Sequence, residues 1–162
     1  MSQIPDPEIE PEVFRHLMVV LEQAHEELQL LKLHLFTEQL LNKIIASYLR
    51  TDEKAVGDLR LGYDLKVKLV ELSHLVPKSG CDVLRKLNGL RQKLAHRLTY
   101  TITEDDRDLL RIDLGEAKNI SPEENVFRRL APFLGGYLSG GIRLARMAAE
   151  RLGESPKTFP VD

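Results

Sequence analysis

The chain is predicted to fold as an all-α bundle of four to five helices, and three features of its 162 residues support this fold class. Leucine supplies much of the 43% apolar fraction, whereas Trp is absent and aromatic residues reach only 6%. Residues that favour strands are therefore sparse. Apolar side chains recur at spacings of three and four, the period of a helix with one buried face.

One domain is predicted, covering residues 11–152, between flexible tails at 1–10 and 153–162. Both tails are rich in proline and charge and lack apolar periodicity. The N-terminus has no basic segment followed by a hydrophobic run, so no signal peptide is expected. No apolar run reaches the ~18 residues that a membrane span requires. We therefore expect a cytoplasmic protein that does not contact a membrane.

The first half of the domain is predicted to contain two or three helices. Residues 11–49 carry helical spacing throughout, and the pattern leaves open whether they form one bent helix or a tight pair. Residues 51–62 contain two glycines and are predicted to be a connection rather than an element. A further helix is predicted from about Tyr63 to Leu75 and ends before Pro77.

The second half begins with a helix predicted from Cys81 or Asp82 to about Leu98, with Asp82 complementing the positive end of its dipole. In the irregular region that follows, Thr103 and Asp106 are placed to cap a short helix.

The last helical segment is predicted to start at residues 121–124, where Ser-Pro-Glu-Glu supplies a cap, a first-turn proline and acidic residues. It runs to about Leu152. Pro132 and the glycine pairs at 135–136 and 140–141 are expected to kink or split it.

Charge and composition exclude several classes of function. The net charge of −2 argues against a protein that coats nucleic acid non-specifically, and no recognition motif for double-stranded DNA is present. The single cysteine, Cys81, excludes an internal disulfide and a cysteine-rich metal site. The histidines show no metal-ligand spacing, and no glycine-rich phosphate loop follows a strand. We expect no metal and no cofactor.

An arginine interrupts the apolar stripe of the predicted fourth helix. Arg91 lies at the spacing expected of a buried residue, in line with four leucines. These are Leu84, Leu87, Leu94 and Leu98. A guanidinium at such a position has to be paired, reach solvent beside the stripe, or lie at an interface, because an unpaired buried charge costs several kcal/mol.

Beside the stripe lies a polar edge made of Asn88, Arg91, Gln92 and His96, and the surrounding segment is basic. Between Lys78 and Leu98 there are six basic residues and one acid. One interpretation is an arginine paired with a core carboxylate and a histidine that ends the helix. The other is a phosphate-binding surface, to which Lys93 and Arg97 contribute. Lys93 points away from the stripe, which favours a solvated position for that side chain.

Residues 84–96, with the sequence LRKLNGLRQKLAH, resemble the signature helix of the HEPN superfamily, whose motif is Arg, four to six residues and His. Residues 35–41 resemble the acid-containing second helix of that group. Residues 62–69 resemble the helix before the motif in the mannitol-repressor-like branch. The resemblance covers about residues 30–103 and implies a dimeric HEPN-like bundle.

The resemblance also implies a function, that of a metal-independent endoribonuclease of the toxin or defence type with a composite site at a homodimer interface. Arg91 would bind the scissile phosphate of single-stranded RNA, and His96 would act as general acid or base. Glu38 is the expected carboxylate that orients Arg91, with Asn88 and Gln92 in support. An antitoxin or a regulatory protein is an expected partner.

Two alternatives stay open. Position 92 is Gln where active members carry a shorter Asn or Asp, or a His, and the mannitol-repressor-like branch keeps Arg-x4-His in a regulatory protein. By this alternative, the chain is a non-catalytic regulator that acts by protein contacts. A third hypothesis is an adaptor that binds nucleotides or RNA ends without cleaving them.

Overall fold

A computed structural model describes residues 8–112 and 125–153 of the chain and contains only helices and their connections within those ranges. The all-α class is confirmed, but these ranges hold seven helices rather than the four to five predicted. The helices are α1 (Pro11–Gln23), α2 (Glu26–Leu49), α3 (Glu53–Asp58), α4 (Tyr63–Leu72), α5 (Lys78–His96), α6 (Glu104–Ile112) and α7 (Val126–Gly153).

Helices α2 and α7 form the centre of the bundle and pack against each other more extensively than any other pair. Their facing stripes are fully buried leucine and isoleucine side chains, which include Leu33, Leu41, Ile44, Leu134, Leu138 and Ile142. Helices α3, α4 and α5 pack on other sides of α2. Helix α2 is therefore the central helix of the core, and its position sets the positions of the helices that pack on it.

Residues 11–49 form two helices rather than one. Ala24 and His25 adopt extended backbone between α1 and α2. The buried amide of Gln29 donates hydrogen bonds to the carbonyls of Leu21 (3.0 Å) and Ala24 (2.8 Å), which satisfies the end of α1. No Gly or Pro marks this break because a side chain from the next helix supplies the cap.

Two boundaries differ from those predicted. Residues 51–62 are not only a connection, since they contain α3, whose first turn is capped by the Asp52 carboxylate at 2.7 Å from the Ala55 nitrogen. Helix α5 begins at Lys78, earlier than predicted, so Asp82 lies beyond the first turn and pairs with Lys78 and Arg85.

The last helix is not split. Helix α7 runs from Val126 to Gly153 through Pro132 and both glycine pairs. Fully buried side chains on either side of the proline outweigh the lost backbone hydrogen bond. The predicted start at residues 121–124 lies outside the described residues. Within them, the Asn125 side chain accepts hydrogen bonds from the Phe127 and Arg128 nitrogens.

Packing begins before the predicted domain boundary at residue 11. The side chain of Ile9 is buried near Gly135, and the carboxylate of Glu8 forms a 2.5 Å ion pair with Arg146. Glu8 and Ile9, which were predicted to belong to a flexible tail, therefore contact the bundle, and residues 1–7 lie outside the described residues. In the described ranges, no helix is both long and apolar enough to span a bilayer.

Candidate functional site at the end of helix α5

The apolar stripe of α5 continues beyond the surface that the rest of the bundle covers. Its buried residues end at Leu90. Arg91 continues the same stripe yet is exposed, Leu94 is partly buried, and Leu98 lies past the end of the helix and is fully exposed. The prediction that Leu98 belongs to the buried stripe is wrong. Among the residues that the structure describes, Arg91 is not paired with a core carboxylate, and its guanidinium reaches the surface.

Most of the basic residues in this segment are held by partners within the fold. Lys78 pairs with Asp82, Arg85 pairs with Glu71 and Asp82, and Lys93 pairs with Asp106. Lys86 donates to the carbonyl of Leu109.

Arg91 and Arg97 are different, since neither forms a hydrogen bond or ion pair with the described part of the chain. Both are exposed. The unneutralised positive charge of the segment is therefore concentrated at the end of α5.

Arg91 and His96 are both exposed, with His96 as the last residue of the helix. Five residues of α-helix separate their Cα atoms by about 7.5 Å along the axis and by about 140° around it. Side chains that diverge by this angle do not converge readily on one small group. Gln92 lies between them around the helix and is exposed as well.

Asn88, one turn before Arg91, is the buried member of the polar edge and joins α5 to two other helices. Its Oδ1 lies 3.0 Å from Nε2 of His34 on α2, and its Nδ2 donates to the Asp64 carboxylate on α4 at 2.9 Å. The His34 ring also stacks on Tyr63, with centroids 4.2 Å apart. A connected polar network therefore underlies the base of the exposed segment.

Burial lowers the pKa of His34, and the positive charge of Arg91 lowers this pKa further. The hydrogen bond with Asn88 and the negative charges of Glu38 and Asp64 act in the opposite direction but do not outweigh burial. The imidazole is thus held in its neutral form at neutral pH. Burial also raises the pKa of Tyr63, which keeps its hydroxyl protonated next to Thr37.

The prediction that Glu38 orients Arg91 is wrong. Its carboxylate binds the ammonium of Lys66 at 2.7 Å, and that ammonium lies in a side chain only 6% exposed. A buried cation needs a hydrogen-bonded partner, and the Glu38 carboxylate is the partner of Lys66. The role of Glu38 in this structure is to join α2 to α4.

Lys93 was predicted to contribute to a phosphate-binding surface, but its ammonium is not free to do so. It pairs with Asp106 of α6 at 3.1 Å and lies over the ring of Tyr100. Asp106 is almost fully buried and in addition accepts hydrogen bonds from Tyr100 and Thr103. The predicted Thr103–Asp106 cap is confirmed, and through Lys93 it fixes the last turn of α5.

This cluster gives a pH-dependent stability that can be measured. Burial alone would raise the pKa of the Asp106 carboxyl, but hydrogen bonds from Tyr100, Thr103 and Lys93 prevail and lower it to about 2. The folded value lies below the unfolded one of about 4. The stabilisation is therefore present above pH 4 and is lost as the pH falls towards 2.

We expect Asp106→Asn to lower the free energy of unfolding at pH 7 by about 1–3 kcal/mol. The deficit relative to the wild type should shrink between pH 4 and pH 2 in urea titrations. An equal deficit at both ends of this range would contradict the assignment. Asp105→Asn, an exposed neighbour on the same helix, serves as the control.

Four residues of the site were not predicted. They are His34, Asp64, Tyr100 and Asp106; the sequence predicts Asp106 only as a helix cap and places His34 only among the histidines without metal-ligand spacing. A signal existed for His34, since it falls on the largely apolar stripe of α2, and a buried histidine there needs a partner.

No group of three or more His, Cys, Asp or Glu side chains suited to a metal ion occurs within residues 8–112 and 125–153. Comparisons with protein families, curated proteins and solved structures find no match for the chain.

Proposed function

We propose that the chain is a metal-independent endoribonuclease of the HEPN type, a toxin or defence effector, in which two copies form a composite site from Arg91 and His96. One observation carries the proposal. The fold pairs Lys78, Arg85 and Lys93 of α5 with carboxylates but leaves the Arg91 guanidinium exposed and without an ion pair to the described residues, at a position where its sequence context predicts burial.

The chemistry requires one cation and one proton-transfer group. The planar guanidinium of Arg91 binds two oxygens of the scissile phosphate and stabilises the charge that builds up on them. His96 accepts the proton of the ribose 2′-hydroxyl as its oxygen attacks phosphorus. The bond from phosphorus to the 5′-oxygen breaks, and that oxygen takes up a proton. The products are a 2′,3′-cyclic phosphate and a 5′-hydroxyl.

A second copy resolves the divergence of the two side chains. Since Arg91 and His96 point about 140° apart on one helix, a phosphate held by Arg91 of one copy is better placed to meet His96 of another. The uncovered end of the α5 stripe, with Leu94 and Leu98, supplies an apolar contact next to Arg91. Single-stranded RNA is the proposed substrate.

The test is cleavage of a fluorescent single-stranded RNA by purified protein in the presence of a chelator. We expect Arg91→Ala and His96→Ala each to slow cleavage by about 100-fold or more. Replacing the 2′-hydroxyl at the cleaved position by hydrogen should stop the reaction.

Arg15→Ala and His16→Ala remove the same two side-chain types from an exposed face of α1 and should leave the rate unchanged. Intact RNA after incubation with the wild type rejects the proposal. So does a double variant, Arg91→Ala with His96→Ala, that cuts at the rate of the wild type.

The alternative, a regulator that acts by protein contacts, is favoured by two exposed rows of leucines. Leu28, Leu31 and Leu35 lie along α2, and Leu65, Leu69 and Leu72 lie along α4. Exposed apolar surface of this extent often marks a binding face. If this function holds, a Leu31→Ser, Leu35→Ser variant loses partner binding, whereas His96→Ala retains it.

A further inference from the structure

The histidine on α2 is costly for a residue with only a packing role. His34 is 6% exposed and lies on the buried face of α2, most of which is leucine and isoleucine. A buried polar side chain of this kind is compensated only by good hydrogen bonds, and an apolar residue of similar size is often at least as stable. We therefore ask which residue the hydrogen bond of His34 holds in place.

The direction of the hydrogen-bond chain is fixed by its last member. The Asp64 carboxylate only accepts, so the amide nitrogen of Asn88 faces it and the amide oxygen faces His34. His34 must then donate from Nε2. Stacking on Tyr63 fixes the plane of the imidazole ring from a second side. Three helices thus hold the Asn88 side chain in one orientation.

The hydrogen-bond network reaches α5 at Asn88, close to the point where the fully buried stripe of that helix ends. Asn88 and Arg91 are three residues apart and adjacent on the helix surface. Beyond Leu90 every residue of the helix except the partly buried Leu94 is exposed, and the Asn88 network is the last buried polar contact before the guanidinium. The positive charge of Arg91 also contributes to lowering the pKa of His34.

We propose that His34 is a positioning residue for Arg91, acting through Asn88 to hold the turn of α5 that presents the guanidinium to phosphate. The inference rests on the proposed function for its effect on catalysis, but the electrostatic coupling between His34 and Arg91 is tested separately.

The first experiment measures RNA cleavage by variants that keep or remove the hydrogen bond. His34→Leu removes the donor, and we expect kcat to fall about 10–100-fold with little change in KM, as for other residues that orient a catalytic group. His34→Gln keeps an N–H donor near the position of Nε2 and should restore most of kcat.

Thr37→Val is the matched control. It removes another buried hydroxyl of α2, which bonds the Tyr63 hydroxyl at 2.7 Å and the backbone carbonyl of His34 at 2.8 Å, and it leaves the side-chain bonds of His34, Asn88 and Asp64 in place. If His34→Leu does not fold, Asp64→Ala takes its place, because Asp64 is exposed and its loss spares the core. Asp64→Ala should lower kcat, and Asp64→Asn, which keeps an accepting oxygen, should not.

The second experiment does not depend on cleavage. The titratable and charged groups around His34 are Glu38, Tyr63, Asp64 and Arg91. Removing the positive charge in Arg91→Gln should raise the pKa of His34 in an NMR titration of its ring. Lys32→Gln, an exposed charge change on the same helix, should leave it unmoved.

The outcomes separate the two proposals. If the wild type cleaves RNA and His34→Leu or Asp64→Ala retains full kcat, the positioning role is rejected and the nuclease stands. If the wild type does not cleave RNA, the nuclease is rejected and the titration decides alone. An unchanged pKa of His34 in Arg91→Gln means that the network does not reach the guanidinium, and this result overturns the inference.

Discussion

Glu38→Ala is expected to lower the free energy of unfolding by about 3–5 kcal/mol, a large effect for one partly exposed carboxylate. Its partner, Lys66, has a side chain only 6% exposed, and the 2.7 Å ion pair with Glu38 is the compensation for burying that ammonium. Without the carboxylate, the cation stays buried without its partner or the α2–α4 contact opens. Either response is destabilising.

Removing Lys66 is expected to cost much less stability than removing Glu38. Lys66→Met removes the buried charge and leaves Glu38, which is 32% exposed and able to remain hydrated. We expect Lys66→Met, alone or combined with Glu38→Ala, to lie within about 1 kcal/mol of the wild type in urea denaturation. A Glu38→Ala variant as stable as the wild type would show that the pair does not form.

Gly141→Ala is expected to destabilise the fold by about 1–3 kcal/mol, although alanine is the better helix former. A methyl group at this position would lie 2.9 Å from Cδ1 of Ile44, 3.0 Å from the carbonyl oxygen of Leu75 and 3.1 Å from Cγ2 of Val76. The Leu75 oxygen belongs to the backbone and cannot move aside without displacing the segment after α4.

The neighbouring glycine supplies a matched control. A methyl group on Gly140 would meet nothing within 4 Å. Gly140→Ala should therefore stabilise the protein by about 0.5–1 kcal/mol through helix propensity alone. Thermal unfolding of the two variants should shift in opposite directions. Equal shifts would contradict the close approach of α7 to α2 and to the Leu75–Val76 segment.

The elements predicted correctly are those whose signals are local. The Thr103–Asp106 cap lies within four residues, and the buried stripe of α2 repeats over several turns. Helix α3 was missed because six residues with one buried side chain, Val56, carry too little periodicity. The break after α1 was undecided because its cap, Gln29, comes from the following helix.

The candidate site was predicted less completely, for a physical reason. Periodicity places Arg91 on the apolar face of its helix, but its exposure depends on where neighbouring helices stop. The partner of Glu38 depends on how α4 crosses α2, and this crossing places Lys66, rather than Arg91, next to the carboxylate. His34, Asn88 and Asp64 are separated by up to 54 residues in sequence and meet only through packing.

The central pairing of α2 with α7 has a consequence for biosynthesis. The two helices that form the core lie far apart in sequence, and α7 is the last helix of the described chain to be made. Contacts with such long separation form late and slow the folding of small domains. A nascent chain that has not yet produced Val126 leaves the leucines of α2 without their main partner. We therefore expect the apolar face of α2 to lack its main packing partner until Val126–Gly153 has been synthesised, so that the α2–α7 core forms only after that point.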